Sequence, residues 1–327
     1  MAESQWVMHL QTLPESDRDA AMRDNSSLHL AEGDPKLMAA LLHDTPSIGD
    51  QTHYWTEVAQ QLARKDPAAA LEWAQSVEVP EARRAAMNEA LRAWAAKDAP
   101  AALLAAQAFS DDAQRRAGVS SIINEWAGQD PDAVLRWAAT ATGGERELAL
   151  LRGSLSKAAS DPAAGAGVVS QLISDAQAAG GVLPDHLSAA AREVAEDWFQ
   201  QDMTAASQWV ARLPEGPARE NTVGAIVGPW MRLDPMAASE WVRQLPAGGG
   251  RDHGAMLLAN GIAGTDPEGA FAWATSIGDA AKRENAMRTA VRSWRSSDKE
   301  AARAAVRIAP VSESVRDSLF RQIGEKE

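Results

Sequence analysis

The stretch QTHYWTE, residues 51 to 57, sets His53, Tyr54 and Trp55 side by side, with Asp50 and His43 close by in sequence. An imidazole and the chain's single tyrosine beside a carboxylate are groups that bind a small molecule or a metal ion. Trp55 also stands in a helix position that elsewhere carries Met87, Val119, Val223 or Met287, so the extra bulk is expected either to repack the local interface or to project outward. A second candidate lies in HGAMLLANGIAG, where His253, Met256, Leu257 and Asn260 fall on one predicted helix. Met256 and Leu257 occupy positions that would face water, so a neighbouring surface covers them or they line a binding groove.

Other chemistry is absent. The six histidines, at 9, 29, 43, 53, 186 and 253, contain no i, i+4 pair and no HExxH spacing, so no metal site is expected. With no cysteine there is neither a thiolate nucleophile nor a thiolate-bound metal. Asp111-Asp112 in SDDAQRR falls in a predicted inter-helix loop, where acids cap helices, and GVSS and RGSLSK form neither a nucleophile elbow nor a phosphate loop because no strand precedes them. No catalytic residue and no cofactor follows from the sequence.

The elements that carry these residues come from a repeat. An aspartate recurs at positions 34, 66, 98, 130, 161, 202, 234, 266 and 298, with six of the eight intervals equal to 32 residues. Proline follows it at 35, 67, 131, 162, 235 and 267. Asp at an N-cap accepts otherwise unpaired backbone N–H groups, and Pro at the first helical position needs no donor and already has a helical φ. Each such Asp therefore opens a helix. Apolar or small residues follow at offsets 3, 4, 7, 8 and 11, as in Ala237, Ala238, Trp241, Val242 and Leu245, which is one helical face. A break such as LPAGGG, LPEGP or SIGD ends it, and a second apolar face begins near Arg83, Arg115, Arg146, Arg219, Arg251 or Arg283. Each unit is an αα-hairpin.

Eleven of the twelve tryptophans keep this register. Trp73, Trp137, Trp209, Trp241 and Trp273, with Trp6 by extrapolation, occupy offset 7 of a first helix; Trp94, Trp126, Trp198, Trp230 and Trp294 stand four residues before the next Asp. The two classes are expected to meet across the corner and to set the packing of successive helices, so the stripe reads as core rather than as a cofactor site. The recurring Arg is expected to meet the carbonyls that end the first helix, and the acid after it, as in Glu147, Glu220, Asp252 and Glu284, the new N-terminus.

Irregularities carry what functional information there is. The unit from Asp161 to residue 201 is nine residues longer, which predicts a first helix extended by about two turns. The second helices after Arg219 and Arg251 hold Gly224, Gly228, Pro229, Gly254, Gly261 and Gly264, although glycine in a helix interior costs up to about 1 kcal/mol relative to alanine. Something must offset that.

Composition limits the partners. Apolar residues make up 45% and charged residues 24%, enough for a substantial core. A net charge of −13 disfavours nucleic acid and anionic membranes, which need clustered Lys and Arg, and favours a basic protein or peptide. No apolar run approaches the ~20 residues that span a bilayer, so no direct membrane insertion is expected. SQWVMHLQTLP near the start matches the inside of a repeat, which predicts either an N-terminal capping hairpin or a preceding segment; the residues as given read as cytoplasmic, and a preceding signal or anchor would make the protein exported or membrane-attached.

Residues such as DPAAALEWA, DPMAASEWVRQLPAGGGRD and DPEGAFAWA resemble the tetratricopeptide-like class of α-solenoids, closest to bacterial proteins built from DP-x-A-A-x-x-W and LP-x-G-x-x-R-D repeats. The period, the missing Gly-Tyr pair and the tryptophans depart from the true tetratricopeptide pattern. The resemblance implies a scaffold that binds protein or peptide and carries no catalytic residue across. The expected fold is all-α: one right-handed α-solenoid domain of nine to ten αα-hairpins, with 1–33 a partial or capping hairpin, 34–297 eight repeats and 298–327 a C-terminal cap. The expected function is a non-enzymatic scaffold. A small-molecule receptor or enzyme with a pocket on the concave side, near 51–57 or 219–264, is the alternative.

Overall fold

A computed structural model describes residues 12–14, 17, 35–43 and 52–324. Trp6, Asp34 and Asp50, the side chain of His43 and most of the expected N-terminal cap lie outside them. Among the described residues the fold is all-α, with seventeen helices and no strand. The chain forms two compact units, residues 1–153 and 154–327.

In the first unit α1 (Pro35–His43) and α2 (Thr52–Lys65) are followed by α3 (Pro67–Ser76), α4 (Pro80–Gln107), α5 (Asp112–Gln129), α6 (Pro131–Ala138) and the start of α7 (Gly143–Ser160). The second unit takes the end of α7, then α8 (Pro162–Ala178), α9 (Asp185–Gln201), α10 (Met203–Arg212), α11 (Pro217–Leu233), α12 (Pro235–Gln244), α13 (Gly249–Ile262), α14 (Pro267–Thr275), α15 (Ala280–Ser297), α16 (Lys299–Ile308) and α17 (Glu313–Ile323). Here α9, α11, α13, α15 and α17 pack each on the next as a continuous layer, and the shorter helices between them pack on the layer.

A single residue turns the chain from one helix into the next. Asp66, Asp98, Asp130, Asp161, Asp202, Asp234, Asp266 and Asp298 have φ between −152° and −137° and ψ between 77° and 96°. Each carboxylate accepts the amide N–H three residues on, at 2.8 to 3.1 Å. The Asp backbone N–H meanwhile donates to the preceding helix, at 2.7 to 2.8 Å for Trp126, Trp198, Trp230 and Trp294. One residue thus closes one helix and caps the next, and such a cap contributes about 1 kcal/mol. Asp98 makes the same corner within the span Pro80–Gln107, so α4 is two helices that meet at a kink there.

This fixed corner brings the indoles together. Trp126 and Trp137, Trp198 and Trp209, and Trp230 and Trp241 have ring centroids 6.1, 6.0 and 5.6 Å apart, all tilted. Trp294, whose register partner is Ala305, meets Phe271 at 5.9 Å instead, and Trp230 touches Phe199 at 5.6 Å in addition to Trp241. Trp73, Trp94 and Trp273 are half-buried, and no described tryptophan is exposed. Alanines such as Ala70, Ala74, Ala206, Ala238 and Ala270 are fully buried between the helices, which lets the axes approach closely.

The long unit takes its extra residues in α8, seventeen residues against ten in α10 and α12. The added turns pack beside the next hairpin's loop, where Gln177 donates to the Glu215 carbonyl at 2.9 Å. No helix among the described residues is long and apolar enough to cross a membrane.

Candidate functional site

His53, Tyr54 and Trp55 open α2, and the structure separates them by burial. Tyr54 is 4% and Trp55 2% exposed, while His53 faces solvent with its ring 3.9 Å from that of Tyr54. Trp55 stacks on Trp73 at 5.9 Å. The added bulk is repacked into the core of the first unit and does not project, so of these three residues His53 alone offers an exposed group.

His253, Met256, Leu257 and Asn260 fall at i, i+3, i+4 and i+7 of α13 and share one stripe. The first three are half-buried, Met256 and Leu257 packing on the core of the second unit, and Asn260 is exposed. The neighbouring glycines explain the packing. A Cβ placed on Gly224 of α11 would lie 2.8 Å from His253 Nε2, and one on Gly254 would lie 3.1 Å from Val242 and 3.2 Å from Val223. One on Gly250 would meet Arg219 at 2.8 Å, and one on Gly261 would collide with Met231. These four glycines therefore receive side chains from adjoining helices; they do not line an open groove. Gly228 and Gly264 face open space, and nothing in the structure accounts for them.

Around His253 the acids reach further than sequence reasoning expects. Glu220 and Asp252 do lie in first turns, as the helix-end reading has it. Their bonding partners, however, are on later hairpins. Asp252, 6% exposed, accepts the backbone amides of Gly278 and Asp279 at 2.8 and 2.7 Å. Glu220 pairs with Lys282 of α15 at 2.7 Å, and Glu215 accepts the amide of Gly249 at 2.5 Å, capping α13 from the previous loop. The signal missed was Gly249 and Gly278, whose lack of a side chain lets a neighbour's carboxylate approach. Lys282 is held above its ordinary basicity, chiefly by its hydrogen bond to Glu220 and then by the charges of Glu220, Asp279 and Asp252. His253 is pushed below its ordinary value, mainly by burial and then by Lys282, with Glu220 acting in the opposite direction.

The recurring Arg meets its expected carbonyls. Arg83 donates to Val77 at 3.1 Å, Arg115 to Phe109 at 2.9 Å, Arg219 to Leu213 at 2.7 Å and Arg283 to Ile277 at 2.8 Å, always six residues back. Arg251 differs, donating forward to the Ser276 carbonyl at 3.5 Å.

Counted from this Arg, the seam between consecutive second helices is open in the first unit and shut at one place in the second. Arg84, Met87 and Asn88 of α4 face Ala113, Gln114 and Ala117 of α5 across a groove of about 290 Å³. One repeat later Arg116, Val119 and Ser120 of α5 face Gly144, Glu145 and Leu148 of α7 across about 430 Å³. The residues in the same register between α11 and α13 are Glu220, Val223 and Gly224 against Gly249, Gly250 and His253, the close contacts just described. No family model, curated protein or solved structure matches the chain. Further along the α4–α5 seam Arg92 closes the groove by pairing with Glu89 at 2.7 Å and with Glu125 of α5 at 3.1 Å.

Both grooves have an apolar floor, with Met87 and Val119 buried, and an exposed arginine, Arg84 or Arg116, at the rim. Arg84 pairs with Glu81 at 3.1 Å, and the Glu145 carboxylate accepts from Gln107 at 2.8 Å. Among the described residues no group of three or more His, Asp or Glu is placed to hold a metal ion. The arrangement offers shallow contact along a helix layer.

Proposed function

We propose that this protein is a non-enzymatic helical-repeat scaffold that binds a protein or peptide partner, with the second-helix seams of the first unit as the docking face. One observation carries the reading: two grooves, open in the same register on consecutive hairpins, each pair an apolar floor with an arginine at the rim. Packed helices lie about 8–10 Å apart. A polyproline II segment advances ~9 Å every three residues, so side chains three apart in an extended peptide match that step. The net charge of −13 supports a basic partner overall, whereas Arg84 and Arg116 favour an acidic residue beside each apolar anchor in the grooves themselves. The likeness of the repeats to tetratricopeptide-like bacterial proteins supports the same class of function.

The test uses the full chain as bait, with Ser120→Trp to fill the second groove and Arg116→Glu to reverse its rim. Loss of a captured partner on either substitution, with retention on Lys299→Glu elsewhere on the surface, is the expected result. Met256→Asp and Leu257→Asp examine the α13 stripe in the same assay. Capture indifferent to both groove substitutions would remove the docking face.

A further inference from the structure

Glu220 and Lys282 are two hairpins apart, on α11 and α15, yet they bond at 2.7 Å. The pair must pass across the N-terminal end of α13, which lies between them in the helix layer. Gly249 makes that passage possible: a Cβ on it would collide with the Glu220 carboxylate. His253 sits one turn further along α13, with its imidazole over Gly224 of α11. Three successive layers therefore meet at one carboxylate, one ammonium and one imidazole.

We infer that Glu220, Lys282 and His253 form an acid-sensitive clasp, which binds α11, α13 and α15 together at neutral pH and loosens when His253 takes up a proton. This inference is independent of the docking face proposed for the first unit. Among the described residues, the charges that face His253 are Glu220 from α11 and Lys282 from α15. Others nearby are already committed. Arg219 bonds to Leu213 and Glu215, and Asp252 to the amides of Gly278 and Asp279. Asp279 caps α15 through the Lys282 amide. From α12, Glu240 and Arg243 pair with each other at 2.7 Å, and that helix meets α13 through Val242; on α14, Glu268 is exposed. A protonated His253 would thus be a second cation competing with Lys282 for one carboxylate.

The sign follows from the direction of the imidazole's shift. Burial and Lys282 keep His253 neutral in the fold to a pH below its ordinary ~6.5, so opening the clasp favours proton uptake. Its contribution is fully present above that ordinary value and is lost as pH falls through it toward the lower folded value.

Hydrogen exchange on the full chain at pH 7.5 and pH 5.0, corrected for intrinsic rates, reads the clasp directly. The expected result is several-fold faster exchange at pH 5.0 in the amides of α13 and the first turn of α15. His253→Gln should abolish that acid increment, and His186→Gln, at an exposed histidine, should leave it intact. Lys282→Gln should show fast exchange at both pH values. An acid increment that persists unchanged in His253→Gln overturns the inference. So does a proton NMR titration of the unsubstituted protein that finds the His253 ring titrating at or above its ordinary value, a reading that needs no variant to fold.

Discussion

Arg219 donates its Nε to the carbonyl of Leu213 at 2.7 Å, with only 9% of the residue exposed. The same bond, six residues long, recurs at Arg83, Arg115 and Arg283, so this cation fastens the end of a first helix to the start of the second. Removing a charged partner from a buried carbonyl costs about 1.5–3 kcal/mol. Arg219→Leu should lower stability by that amount in urea unfolding followed by tryptophan fluorescence. Arg84→Leu, which loses only an exposed i, i+3 pair with Glu81, should change stability by less than about 0.5 kcal/mol.

Asp252 is a buried carboxylate bonded to two backbone amides of the next hairpin loop. Asp252→Ala leaves both donors without that acceptor and should destabilise by about 2–3 kcal/mol, seen as a lower melting temperature. Asp252→Asn keeps the shape and one good acceptor, and should lose roughly half as much.

Two glycines in helices of the second unit should respond in opposite directions to alanine. Gly167 faces open space and is followed by Val168, so Gly167→Ala should raise stability by about 0.5–1 kcal/mol through helix propensity. At Gly165 a Cβ would stand 2.5 Å from the Ser154 carbonyl oxygen and 2.8 Å from the Ala158 Cα, both backbone atoms that cannot turn aside. Gly165→Ala should cost about 1–3 kcal/mol. Equal shifts at the two sites, measured by thermal unfolding, would contradict the packing described for α8.

Trp230 touches both Trp241 and Phe199, at 5.6 Å each, and is 8% exposed. Trp230→Ala should cost about 3–5 kcal/mol, and Trp230→Phe clearly less, because a ring still fills the corner. Denaturant midpoints of the two variants check the order.

How much of this the sequence could reveal depends on whether an interaction lies within one repeat or between repeats. The Asp caps, the corner tryptophan pairs and the Arg-to-carbonyl bonds involve partners at constant offsets, so they leave a period in the residues. The long α8 announced itself by a broken interval. Trp55 was ambiguous because only its neighbour Trp73 decides whether a large side chain is repacked or expelled. The Gly-rich stretches of α11 and α13 had the opposite difficulty: a missing side chain shows that something approaches closely and does not name what. Glu220 with Lys282 spans 62 residues, and Asp252 reaches Gly278 and Asp279, so neither bond has a local signature. The open grooves arise from what two helices fail to fill, which no single segment records.

The two ends of a hairpin differ in what they can absorb. Where an Asp alone joins two helices, a residue inserted after it would move the amide that its carboxylate caps and turn the second helix by about 100° relative to the first, so the cap and the ring contact across the corner would be lost together. At the opposite end, α8 already accepts two additional turns and finishes in the exposed Gly180-Gly181 loop. Fluorophores, affinity tags or whole domains grafted into this protein therefore belong beside Gly181, whereas a single alanine added after Asp202 or Asp234 is enough to unzip the neighbouring pair.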